Sequence, residues 1–434
     1  MNNNELYELY KKYPNISTDT RNIGTDSIFF ALKGDRFNAN QFADLALDKG
    51  AKAVVIDEED YAKDDRYIVV KNVLESLQEL AKLHRSHLHI PVIGITGTNG
   101  KTTTKELLNS VLSTRYKTFS TAGNLNNHIG VPLTLLSIGE EVEVAVIEMG
   151  ANHPGEIDFL CHIAQPTYGL ITNVGKAHLE GFGSFEGVKS TKAELYRYVS
   201  KQGGSLFLQS DNENLLEMMG ELSVKEVITY GLVPEKDVTG TLISADPMLS
   251  IGWYKKGGGG RQFIVATHLT GTYNVENILA SIAVGVHFGL TSDQINEGIS
   301  NYKPRNNRSQ VIQTVANRII ADYYNANPSS MLAALENLFH LQAAHKVAVL
   351  GDMFEMGEEA ESEHKLVLDQ ALSLDLNRVI FVGEMFFGLR DERAEFYKTI
   401  DDVKTALSNF QIKGSTVLLK ASRGMAFENL IELL

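Results

Sequence analysis

Residues 94–104 read GITGTNGKTTT, and no other stretch restricts the fold of this chain so tightly. The run leaves an apolar segment, 91–96, that reads as a strand. It enters a stretch in which Leu107, Leu108, Val111 and Leu112 fall on one helical face. Strand, glycine-rich loop and helix, in that order, form the context of a phosphate-binding loop. Gly97 and Gly100 let backbone N–H groups approach phosphate oxygens, and the helix N-terminus adds positive potential. Lys101 can offset β/γ-phosphate charge, and Thr102 can offer its hydroxyl to Mg²⁺. The spacing departs from the strict Walker pattern, which would place glycine where Ile95 stands. A strand that feeds a helix this way belongs to an α/β fold with a largely parallel sheet.

The rest of the chain repeats that alternation. Apolar runs at 142–147, 168–172 and 205–208 read as further strands of the same unit, and Lys256–Arg261 reads as a hairpin tip. Runs at 318–321, 347–350, 379–382 and 416–419, each leading into a helical pattern, form a second α/β unit. Runs at 27–32 and 53–56 with a helix between them form a small unit at the start. A chain of 434 residues has room for about three domains, and the expected boundaries are 1–88, 89–304 and 305–434. Lys and Arg number 40 against 54 Asp and Glu, a net charge of -14, which excludes a general nucleic-acid binder. The single cysteine, Cys161, excludes an internal disulfide. The opening MNNNELYELYKKYP lacks the apolar run of a secretory signal, and no stretch is long enough to span a bilayer. A soluble, cytoplasmic protein without membrane insertion is expected.

Ligands of open parallel sheets bind at the carboxyl ends of the strands. Lys101 and Thr102, Glu148 and His178 each follow such an end. Glu148 is an oxygen ligand suited to Mg²⁺. His84, His87 and His89 lack a completing ligand set and read as a linker. In the last unit Asp322 follows a strand, Ser329 or Ser330 is placed to cap the next helix with Pro328 near its start, and Asp352 and Glu355 also follow a strand, as strand-end site residues or as a solvated acidic loop.

Together GTNGKTTT, TAGNLNNHIGVPLTLL, EMGANHPGEI, AHLEGFGSFEGV, YNANPSSM and LGDMFEMG resemble the Mur ligase family, ATP-dependent amide-forming enzymes of peptidoglycan synthesis. The resemblance covers essentially the whole chain. It implies a UDP-binding N-terminal domain, a central ATPase domain and a C-terminal Rossmann-like domain. Its more specific segments imply the branch that adds D-alanyl-D-alanine to UDP-MurNAc-tripeptide (the UDP-N-acetylmuramoyl acceptor) through an acyl phosphate, as a monomer. By that resemblance Gly97, Thr98, Asn99, Gly100, Lys101, Thr102 and Thr103 hold ATP. Glu148 and His178 match ligands of a second Mg²⁺, and Lys192 matches a lysine carbamylated by CO₂ whose carbamate joins the metal site. Asn274, Asn277, Arg308, Asp322 and Asn325 match nucleotide-side residues, Arg308 for phosphate and Asp322 for ribose. Thr18, Thr20, Arg21, Asp35, Arg36 and Phe37 match the UDP-binding pattern, and Asn126, Asn127 and His128 the stretch that meets the muramoyl peptide. Asn38-Ala39-Asn40 stands where related N-terminal domains often have Asp-Gly-His. The Asn-Pro-Arg signature of the diaminopimelate-adding branch is absent. The competing readings are a Mur-type ligase for another amino acid, a folate-type ligase, and a Mur-fold nucleotide-binding protein without catalysis.

Overall fold

The computed structural model describes residues 2–34 and 36–434, arranged around three main sheets. In the first, strands Asn15–Ser17, Ser27–Phe30, Ala51–Ile56 and Tyr67–Val69 lie parallel in that order. The two outer strands span three residues each and are too short to show a periodicity in sequence. Helix Val73–His87 follows, capped by Asn72, whose side chain accepts from the Glu75 amide. Its buried Val73, Leu77, Leu80, Ala81 and His84 recur at helical spacing. His84 and His87 therefore belong to a helix and not to a linker. The His84 ring is buried beside Tyr7 and Tyr10, with its Nε2 2.9 Å from the Ile138 carbonyl. Arg85 donates to the carbonyls of Leu88, Ala164 and Gln165 at 2.6, 2.9 and 2.9 Å, which ties this helix to the end of helix Glu156–Ala164.

The central sheet has nine strands, in the order Phe263–Ala266, Ser250–Lys255, Val238–Ser244, Glu226–Gly231, Ser205–Gln209, Tyr168–Ile171, Val92–Thr96, Val144–Glu148, Thr118–Ser120. Pairing is parallel from Val238–Ser244 onward, and the first two strands form the antiparallel hairpin whose tip is Lys256–Arg261. Strands Val92–Thr96 and Val144–Glu148 are buried at every position, as a sheet covered on both faces requires. Val92–Thr96 lies between Tyr168–Ile171 and Val144–Glu148. The carboxyl ends of those three strands are thus neighbours.

The third sheet has six strands, in the order Gln310–Gln313, Arg318–Ala321, Thr416–Lys420, Lys346–Gly351, Arg378–Val382, Glu395–Tyr397, with only the first antiparallel. Two expectations need correction. Strand Thr416–Lys420 leads into 3₁₀ turns, Arg423–Met425 and Phe427–Leu433, because Ala426 takes a left-handed backbone, φ +54°, that interrupts helical bonding. Helix Pro328–His340 is capped by Asn327, not by a serine: its side chain accepts from the Ser330 amide at 2.9 Å, and the Ser330 hydroxyl accepts from the Asn327 amide at 3.1 Å. Among the described residues no helix is long and apolar enough to cross a membrane.

Candidate active site

A cleft of about 750 Å³ is lined by the glycine-rich loop, by Glu148 and His178, and by Arg308, Asp322, Asn325 and Lys420 of the third domain. The loop depends on its glycines. Gly97 has φ +142°, and a Cβ there would lie 2.0 Å from the Thr172 hydroxyl. Gly100 has φ +79°, and a Cβ would lie 2.6 Å from the Asn277 side-chain oxygen. The end of strand Tyr168–Ile171 braces the loop from one side. The Asn99 amide donates to the Asn173 side chain at 2.9 Å, and the Thr172 hydroxyl donates to the Asn99 carbonyl at 2.6 Å. From the other side Thr104 donates to Asn277 at 3.0 Å, and Asn277 in turn donates to Asn274 at 2.9 Å. Lys101 curls over the loop and donates to the carbonyls of Gly97 and Thr98 at 2.7 and 3.0 Å. Burial lowers its pKa to about 8, Glu148 pulls it back up and Arg308 adds to the lowering. An amine held over carbonyl oxygens at a phosphate loop is placed to exchange them for phosphate oxygens.

Glu148 is 1% exposed. One of its oxygens accepts from Asn126 at 2.8 Å and from the Thr102 hydroxyl at 3.2 Å. The other, Oε2, is buried without a hydrogen-bond partner and lies 3.7 Å from the Lys105 ammonium. An orphaned carboxylate oxygen beside a hydroxyl is a donor set that suits a hard divalent cation. Among the described residues no three His, Cys, Asp or Glu side chains cluster as a metal cage. His178 takes φ +52°, and its ring faces the Glu355 carboxylate across the domain boundary. Burial lowers its pKa, Glu355 raises it, and Lys101 and Lys192 lower it further. Lys192 is 3% exposed, with its ammonium 5.4 Å from the Phe182 ring centre. Burial, then repulsion from Lys101, brings its pKa to about 7. It is not the solvated helix lysine that its residue type alone suggests.

From the third domain, the Arg308 guanidinium stacks 3.6 Å from the Tyr324 ring centre, and its Nε is buried without a partner. Asn327 donates to the Asn99 side chain at 2.8 Å, and Asn99 donates to Ser329 at 3.0 Å, so this domain touches the glycine-rich loop directly. Asp352 departs from expectation. It is buried and accepts the Met385 and Phe386 amides at 3.0 and 3.1 Å, while Glu355 alone reaches the cleft side, on His178.

Asn126, Asn127 and His128 line the same cleft as the nucleotide-side residues, as does Thr103. Thr18, Thr20, Arg21, Arg36 and Phe37 do not, and Asp35 lies outside the described residues. Arg21 is bound to Asp19, and half-exposed Phe37 stacks on Phe42 with ring centres 5.6 Å apart. Asn38 donates to Glu58 at 3.0 Å and Asn40 to Asp57 at 2.9 Å, so the departing tripeptide is built into an internal network. Three residues of the site were not foreseen: Lys105 on Glu148, Lys420 on Asp322, and Asn173 under the loop. Asn173 alone had a usable signal, since it follows a strand end beside the loop.

Profiles of known domains match the chain in sequence: the Mur ligase family catalytic domain over residues 12–91, the Mur ligase middle domain over 95–285, and the Mur ligase glutamate ligase domain over 307–423. The chain is 35% identical over 430 residues to the UDP-N-acetylmuramoyl-tripeptide–D-alanyl-D-alanine ligase of Bacillus subtilis, covering 96% of this chain and 92% of that protein. It superposes on the crystal structure of MurF from Acinetobacter baumannii with a TM-score of 0.86 at 29% identity, covering 98% of this chain and 97% of that one. On the MurF ligase from Thermotoga maritima in complex with ADP the TM-score is 0.85 at 27% identity, covering 96% of each.

Proposed function

The chain belongs to the Mur ligase family, and from that membership we propose its reaction: ATP-dependent addition of D-alanyl-D-alanine to UDP-N-acetylmuramoyl-tripeptide, giving ADP, phosphate and the pentapeptide. The observation that carries it is the meeting, in one cleft, of the phosphate loop, the orphaned oxygen of Glu148, and Arg308 delivered by a separate domain. ATP transfers its γ-phosphate to the terminal carboxylate of the tripeptide. The dipeptide amine attacks the carbonyl of the resulting acyl phosphate, loses a proton, and the tetrahedral intermediate expels phosphate. The acyl phosphate supplies the leaving group that a free carboxylate lacks. Lys101 and Arg308 offset the crowded negative charge, and contact of the third domain with the loop at Asn99 keeps water from the acyl phosphate.

Thr102, Glu148, His178 and a carbamate on Lys192 would hold Mg²⁺, which when bound supplies positive charge beside the phosphates. Carbamylation needs a neutral amine to attack CO₂ and release a proton. A buried Lys192 with a pKa of about 7 provides that amine at neutral pH. Asn274, Asn277, Asp322 and Asn325 serve the nucleotide. Asn126, Asn127 and His128 serve the muramoyl peptide, and Thr18, Thr20, Arg21, Arg36 and Phe37 on the first domain serve the uridine end. The proposed domains are 1–88, 89–304 and 305–434, in a cytoplasmic monomer.

Phosphate release from ATP, with each component omitted in turn and the product weighed, tests the reading. Release that requires both the tripeptide and D-alanyl-D-alanine is expected. Turnover confined to another acceptor or a single amino acid would overturn the substrate assignment and leave the chemistry in place.

A further inference from the structure

We propose that Lys420 is a positioning residue for phosphoryl transfer, pinning Asp322 and, through Asp322, the loop that carries Arg308. The inference rests on the reading of this cleft as the ATP site.

Lys420 ends strand Thr416–Lys420, and its side chain is 2% exposed. A buried ammonium is rare unless it is paired. This one donates to Asp322 Oδ2 at 2.6 Å and to the carbonyls of Asp322 and Asn325 at 3.4 Å each. The remaining oxygen of Asp322 accepts the Ser309 amide at 3.0 Å, one residue beyond Arg308. The loop there is strained. Asn306, Asn307 and Ser309 have φ of +63°, +57° and +49°. Left-handed residues other than glycine persist in a cluster only where the surroundings fix them.

Bonds to Asn307 and Ser309, beside a long one from Asn306 to Glu106 at 3.5 Å, do the fixing. Asp322 holds the Ser309 amide, the Tyr324 amide donates to the Asn307 carbonyl at 3.2 Å, and the Ser309 hydroxyl meets the Tyr273 hydroxyl at 2.8 Å. Arg308 contributes little to its own placement, since its Nε is unpartnered and the guanidinium rests on the Tyr324 face. Its aim therefore depends on the loop, the loop on Asp322, and Asp322 on the only ammonium that reaches it among the described residues. Neutralising Lys420 leaves a part-buried carboxylate that turns toward water and releases Ser309.

The test is a double-mutant cycle of Lys420→Met and Asp322→Asn, read by steady-state kinetics and by calorimetric binding of a non-hydrolysable ATP analogue. Lys420→Met should raise the KM for ATP and lower kcat, each by about tenfold. The KM values for the two acceptor substrates should stay within about twofold, and Lys420→Arg should recover most of the loss. In the Asp322→Asn background Lys420→Met should add less than about twofold, because its route of action is already gone. Melting curves identify folded variants. If Lys420→Met alone does not fold, the double variant, which removes both charges, should match Asp322→Asn alone. A folded Lys420→Met with wild-type ATP kinetics, full additivity in the cycle, or a loss confined to an acceptor KM would overturn the inference. Analogue binding needs no acceptor. A wild-type protein that binds the analogue but does not turn over the proposed substrates would therefore sink the substrate reading and still report on Lys420.

Discussion

Removing the charge of Lys105 should weaken the protein without Mg²⁺ and make it more responsive to Mg²⁺. The Lys105 and Glu148 side chains are each 2% exposed and lie 3.7 Å apart. At an effective dielectric of roughly 20, that separation corresponds to about 4 kcal/mol of attraction. Deleting one partner of a buried pair costs about 3–5 kcal/mol, because the other charge stays behind. Lys105→Met keeps the length of the side chain and removes the charge. For a unit the size of the central domain each kcal/mol moves the melting temperature by roughly 2–4 °C, so a fall of at least about 6 °C is expected without metal. A cation on the orphaned oxygen of Glu148 then replaces what was lost. Mg²⁺ at about a hundred times its dissociation constant contributes roughly 2.7 kcal/mol. The wild type gains less, since Lys105 already neutralises Glu148 and repels the incoming ion. The assay is melting temperature against Mg²⁺ concentration at fixed ionic strength. A variant that melts within about 2 °C of the wild type without metal, or responds to Mg²⁺ no more strongly, refutes the view that Glu148 is held ready for a cation.

Gly97→Ala forces a Cβ to within 3.2 Å of the Thr172 and Asn173 amides and 2.0 Å of the Thr172 hydroxyl. Binding of an ATP analogue should weaken at least about tenfold in a protein that still folds, and unchanged binding would contradict the loop geometry. His364 is fully buried and neutral, with Nδ1 2.6 Å from the Ala360 carbonyl and Nε2 accepting the Met353 amide at 2.9 Å. Burial lowers its pKa. The unfolded chain therefore binds the proton first as pH falls below about 6.5, and stability is lost on acidification by up to about 1.4 kcal/mol per pH unit. His364→Gln should flatten the acid limb of a plot of melting temperature against pH, and an unchanged slope would assign the loss elsewhere. Arg85→Met strips three carbonyls of a charged donor at the junction of the first two domains. It should cost about 3 kcal/mol in chemical denaturation, and a change under about 1 kcal/mol would show the junction to be held by apolar packing alone.

What the sequence made legible is what local chemistry dictates. A phosphate loop needs glycines, a lysine and a following helix within a dozen residues, so 94–104 could be read without any neighbour. Glu148 and His178 could be read from strand ends, because a parallel sheet gathers those ends whatever the strand order. Lys192 became visible only through resemblance. Its helix position is ordinary, and its burial beside Phe182 is a tertiary fact. Lys105 and Lys420 were invisible for the same reason, since Asp322 lies 98 residues from the lysine it binds. The Asn327 cap is a different kind of miss. Proline at the first helical position places the cap one residue earlier, and that rule was available in the sequence.

The net charge of -14 excludes a broad polyanion-binding surface, yet it says nothing about the cleft, which Lys101, Arg308 and Lys420 line, with Lys105 buried behind Glu148 and Lys192 buried within reach of the Lys101 charge. Of these five, only Lys105 and Lys420 form an ion pair with a carboxylate among the described residues. Burial lowers the pKa of both Lys101 and Lys192, with Arg308 adding to the lowering at Lys101 and Lys101 adding to it at Lys192. Such an excess is costly until anions arrive. A triphosphate and a peptide carboxylate must meet here although they repel each other, and the unpaired cations gain most when both are present and charge is moving between them. That favours the transition state over either substrate bound alone. Arg308 comes from a separate domain whose contact with the loop runs through Asn99, so the last positive charge is completed only when that domain is seated. The acidic exterior and the basic interior thus work in one direction: polyanions find no general surface to bind, and the charge that would attract them is offered only to a ligand shaped for the glycine-rich loop.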